Sequence, residues 1–84
     1  MNGSEKMTKE YTYERTWAQI HTVLDKAEKK QNWHFMMIQR KDTPKNDKMM
    51  HMRNYKALEG VINALKWTLG DRQITSNIVL GDLK

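Results

Sequence analysis

DTPKNDKMMHMRNYKALEGVINALKWTLG, residues 42 to 70, carries both ends of one helix and more apolar surface than a single helix face can use. Thr43 suits an N-cap, and Pro44 at the first helical position sacrifices no needed hydrogen bond. Asp47 falls in the first turn, where the helix dipole favours an anion. No strong breaker follows until Gly70, a natural residue just past a helix end. The segment 44–69 therefore predicts a helix about 39 Å long. At the helical period, His51, Tyr55, Leu58, Ile62, Leu65 and Leu69 form one stripe, flanked by Val61 and Thr68. Roughly opposite lie Met49, Arg53, Ala57, Gly60, Ala64 and Trp67. Only Lys48, Lys56, Glu59, Asn63 and Lys66 make a plainly polar sector. A mid-helix glycine costs about 1 kcal/mol against alanine, so Gly60 between Ala57 and Ala64 points to close packing by another helix. One stripe can face a partner helix in the same chain. The second, through Ala57, Gly60, Ala64 and Trp67, is expected to be a homo-oligomer interface; the alternative is that the C-terminal tail covers it.

Working outward, residues 1–11 read as a loose N-terminal tail. Thr12 is a plausible N-cap with Glu14 behind it, and Tyr13, Trp17, Ile20, Leu24 and Ala27 recur at steps of three and four. That predicts a helix near 12–31, with Lys26, Lys29 and Lys30 in its last turn and Asn32 as its C-terminal cap. Trp33 to Ile38, WHFMMI, is too short for its period to separate helix from strand; its methionines favour a helix or helical turn. Two helices with a short connection predict an antiparallel hairpin over 12–69. The tail, 70–84, carries Ile74, Ile78, Val79, Leu80 and Leu83, and is expected to pack on the bundle as a short helix or strand. The expected fold is all-α: a single domain over 1–84, a helical hairpin with a long second helix, assembled as a homo-oligomeric helical bundle.

The 84 residues hold no cysteine, which removes disulfides, thiol chemistry and the usual zinc knuckles, and fits a reducing cytoplasm. A chain this short has a marginal core, so regular helix packing or oligomerisation must supply the rest. Met1 to Glu10 is polar, unlike a secretory leader, and no apolar run reaches the ~20 residues of a membrane span.

Charge is unevenly placed. Residues 26–56 hold nine basic and three acidic groups, a net +6, while the remainder is −1. Arg40, Lys41, Lys45 and Lys48 surround the inter-helix turn, Arg53 and Lys56 continue along the next helix, and Trp33, His34, Phe35 and Tyr55 are near. Cations interleaved with aromatic rings suit nucleotides or single strands, and the start of the second helix adds its positive end. These six cations are the candidate ligand contacts, for a nucleotide, a nucleic acid or an acidic protein surface. Arg53 is the sharpest choice, because a guanidinium on the second apolar face needs an anionic partner, either a ligand or Glu59 of another copy. A solvated lysine face is the plain alternative.

Other chemistry finds little support. The run Met49-Met50-His51-Met52, with His34, Met36 and Met37, offers soft ligands for Cu(I), but methionine at helical spacing is usually adaptable packing. His21 and Asp25 meet at i, i+4 with no nucleophile beside them, and the four glycines form no phosphate loop. No metal, cofactor or enzymatic activity is expected.

Residues 55–70, YKALEGVINALKWTLG, through Tyr55, Leu58, Glu59, Gly60, Leu65, Trp67 and Gly70, resemble segments of short uncharacterised phage proteins. The resemblance covers under a fifth of the chain and includes no catalytic residue. It implies a phage protein working in the host cytoplasm against host defence. Small helical oligomers that sequester nucleotide signals, and anti-CRISPR proteins that bind a nucleoprotein effector, are similar in overall build. A structural phage component is a third reading.

Overall fold

The computed structural model describes residues 14–81. Three helices follow one another: α1 (Trp17–Gln39), α2 (Lys45–Thr68) and α3 (Ser76–Val79). No strand occurs among the described residues. The two long helices pack against each other as an antiparallel hairpin, and α3 lies against α2 alone.

Helix α1 begins later than the periodicity suggested. Thr12 and Tyr13 lie outside the described residues, and 14–16 are not helical. The start is set by Thr16, whose hydroxyl accepts from the Gln19 N–H at 3.1 Å while the Gln19 side chain accepts from the Thr16 N–H at 2.9 Å. This reciprocal capping box satisfies two backbone donors that the first turn would otherwise orphan. The later start also leaves Trp17 at the helix tip, 63% exposed, rather than in the core stripe. Helix α1 then runs past Asn32, the expected cap, and through Trp33–Ile38 to Gln39. No glycine or proline interrupts that stretch, so nothing stops propagation. Lys26, Lys29 and Lys30 consequently sit in mid-helix.

The turn closes differently from the expected cap. Thr43 is buried, and its hydroxyl donates to the Met37 carbonyl at 2.8 Å, satisfying a C-terminal acceptor of α1. Pro44 takes the N-cap position of α2 without a side-chain cap bond. The far end is as expected: Gly70 adopts φ +89°. Its N–H donates to the Trp67 carbonyl at 3.0 Å, and the Asp71 N–H to the Lys66 carbonyl at 2.9 Å. This pair of bonds ends α2 in a Schellman motif, which needs the left-handed residue that glycine supplies cheaply. In the tail, Thr75 caps α3 through the Ile78 N–H at 3.3 Å, so this segment is helical rather than extended.

The core is small. Leu24, Ala27 and Ile62 are the buried apolar side chains, with Leu58, Leu65 and Leu69 partly buried around them. All six residues of the predicted α2 stripe are buried or half-buried. Gln31 reaches across to the Tyr55 carbonyl at 3.4 Å, and Lys66 approaches Glu28 at 3.7 Å. Both cross between the two long helices. The described helices include none long and apolar enough to cross a membrane.

Candidate functional site: a basic trough beside a buried histidine pair

Extending α1 through Trp33–Ile38 places His34 on the core face, two turns beyond Ala27. It meets His51, which belongs to the inner stripe of α2. The two Nδ1 atoms stand 2.8 Å apart, and the rings are only 5% and 3% exposed. Trp33 touches both rings edge-on, at centroid distances of 4.9 and 5.1 Å. One proton must lie between the two Nδ1 atoms, so the rings hold complementary tautomers: one donates through Nδ1 and the other accepts. Burial, then His51, then Lys30 one turn away hold the His34 imidazole below its ordinary pKa. His34 is therefore neutral at neutral pH.

His34 also forms part of a trough on one side of the hairpin. The trough is an open hollow of about 380 Å³ lined by Lys30, His34, Asn54, Ala57, Leu58 and Val61. A second hollow of about 340 Å³, lined by Arg15, Gln19, Ile20, Val23 and Leu65, continues toward the other end. At the helical period the residues flanking this side are Val23, Lys26, Lys30, Trp33 and Met37 from α1, with Met50, Arg53, Asn54, Ala57, Val61 and Ala64 from α2. Among the described residues its two hollows are lined by cations and apolar groups without a carboxylate, while Asp47, three residues before Met50, stands at its turn end. Glu28 and Glu59 fall on the opposite side, with Lys66. Val23, Trp33, Met50 and Val61 are each close to half exposed.

The six predicted ligand cations are spread out rather than gathered in one pocket. The Arg40 guanidinium is held by Asp42 through bonds of 3.0 and 2.9 Å, which raises the arginine pKa and lowers that of the aspartate. Lys56 pairs with Glu59 at 3.0 Å, so Glu59 is already engaged within its own helix. Lys41, Lys45, Lys48 and Arg53 have no ion pair within 4 Å among the described residues. The hollow at the turn holds about 170 Å³ and includes Asp42 and Asp47, which disfavour an anion there. Of the predicted interface residues, Ala57 floors the trough and Ala64 is half-buried. Gly60 and Trp67 are exposed, and a Cβ at Gly60 would meet nothing within 4 Å.

Sequence reasoning named His34 and His51 but not their meeting, and it left Lys30 out of the ligand cations. The signal was available: Ala27, Lys30 and His34 sit three and four residues apart on one continuous helix. No protein-family model matches the chain, and no curated protein or solved structure is significantly similar to it.

Proposed function

We propose that the chain is a non-enzymatic, homo-oligomeric binding protein that captures an anionic nucleotide ligand between its copies. One observation carries this reading: two hollows on one side of the hairpin combine apolar groups with Lys30 and Arg15 and, among the described residues, no carboxylate. Among the described residues, three buried apolar side chains are a thin core for two helices of 23 and 24 residues. A second copy laid on this side, against Ala57, Gly60, Ala64 and Trp67, supplies the missing burial and roofs the trough. The excess of cations at Lys41, Lys45, Lys48 and Arg53 draws an anion toward the same end of the molecule. The resemblance of residues 55–70 to phage proteins supports a role in sequestering a nucleotide signal of host defence.

A second reading is favoured by the turn itself. Lys41 and Lys45 stand exposed, where a nucleic acid or an acidic surface of a nucleoprotein effector could lie across them. Titration calorimetry against mononucleotides and cyclic dinucleotides, paired with a gel shift at two salt concentrations, separates the two. Sequestration predicts saturable nucleotide binding and little retention of oligonucleotide. A nucleic-acid binder instead shows no nucleotide heat and a gel shift that collapses as salt rises, because each phosphate contact releases a counterion.

A further inference from the structure

We infer that the trough between Lys30, His34 and Asn54, not the basic turn, is the seat of the ligand, and that it takes a nucleoside monophosphate. The inference rests on the nucleotide reading above and locates it. His34 is 5% exposed, and its Nδ1 is occupied by His51. Its Nε2 has no protein partner, yet no buried side-chain nitrogen or oxygen among the described residues lacks a hydrogen bond. Nε2 is therefore not sealed from solvent, and His34 is one of the residues that line the trough. A nearly buried ring with one free nitrogen at the wall of a hollow is a specific hydrogen-bonding group. Lys30, one helical turn away, supplies the charge for a phosphate. Ala57, Leu58 and Val61 supply an apolar floor for a base. The volume of about 380 Å³ lies within the range of small-ligand sites, roughly 300–1,000 Å³.

The histidine pair gives this site a defined proton arrangement. A phosphate oxygen is an acceptor, so it selects the tautomer in which His34 carries its proton on Nε2. His34 Nδ1 then accepts, and His51 must donate through its own Nδ1–H. Binding an anion thus sets the tautomer of a second ring that it never touches.

The test uses the full chain and adenosine 5′-monophosphate, with adenosine and inorganic phosphate as partial probes. Calorimetry should show the monophosphate binding at least about tenfold more tightly than either part. Lys30→Ala should weaken it by about tenfold or more, as loss of a charge-assisted contact does, while Lys30→Arg retains it and Lys45→Ala changes it little. Nitrogen-15 NMR of the imidazoles should show His34 settling into the Nε2–H form on addition of the monophosphate. Binding unaffected by Lys30→Ala but lost in Arg53→Ala and Lys45→Ala would overturn the trough assignment while leaving the nucleotide reading intact. Equal binding of inorganic phosphate alone overturns the nucleoside part. No binding to the unaltered chain overturns the nucleotide reading itself, and the trough assignment with it.

Discussion

Ile62→Ala should cost the hairpin about 3 kcal/mol, a large fraction of what a domain this size commands. Ile62 is 6% exposed and is the buried apolar contribution of α2 to a core that otherwise holds Leu24 and Ala27. Truncating it removes the transfer energy of the lost methyl groups and leaves a void between the two long helices. Urea unfolding followed by circular dichroism measures the effect. Met52→Ala, on a 54% exposed position of the same helix outside the trough, gives the contrast: it should change the stability of the hairpin by about 0.5 kcal/mol or less. Equal losses at the two positions would mean that the core has been misplaced.

The second large effect concerns acid. Because His34 is held below its ordinary pKa in the folded chain, the unfolded chain binds a proton there more readily. Stability linked to His34 is therefore full above the unfolded histidine value, near ~6.5, and is lost as pH falls from there through the folded value. Two further groups face the ring, His51 across the helix interface and Lys30 on its own helix, and both oppose the added charge. Thermal melts should shift downward between about pH 7 and pH 5, with Trp33 fluorescence changing over the same interval. His51→Ala should cost about 2 kcal/mol at neutral pH by leaving the buried His34 Nδ1 unpaired. Replacing both rings, His34→Leu with His51→Leu, should recover most of that loss and flatten the pH dependence, since two apolar groups leave no orphaned donor or acceptor. A pH dependence that survives in the double variant would remove the pair from the explanation.

The legible parts of the fold were those governed by local rules. Pro44 and Gly70 bracket α2 because one lacks a donor and the other tolerates a positive φ, and both properties act wherever the residues stand. The α2 stripe from His51 to Leu69 was legible because 3.6-residue periodicity is a property of the helix itself. The start of α1 was obscured by a choice between two threonines. Thr12 offered a cap, but Thr16 has Gln19 three residues on, and the reciprocal pair of bonds decides the matter. The extension through Trp33–Ile38 was obscured because aromatic and methionine side chains there point to several sides, and Phe35 and Met36 remain exposed. The histidine pair depended on that extension. His34 and His51 are seventeen residues apart on different helices. Their meeting follows from the length of α1, the turn held by Thr43 and the register of the hairpin, none of which a local pattern encodes.

The same dependence explains why the cations were placed more easily than the site. A concentration of lysine and arginine between residues 26 and 56 is visible in the chain as a count. Which of them face a hollow is a matter of register. Lys30 faces the trough, while Arg40 and Lys56 are engaged with Asp42 and Glu59. Surface pairs of this kind are weak in energy, but they reduce the field available to an incoming anion.

On the proposed reading one hairpin is incomplete and a second copy covers its cationic, apolar side. Multi-angle light scattering of the full chain at micromolar concentration tests this most directly. The account predicts a mass that is a multiple of 10.0 kDa, returning toward 10.0 kDa in Gly60→Leu. A Cβ at Gly60 meets nothing within 4 Å in the isolated chain, and the position is exposed, so the effect is expected at the interface. A clean, folded species of 10.0 kDa for the unaltered chain would contradict it.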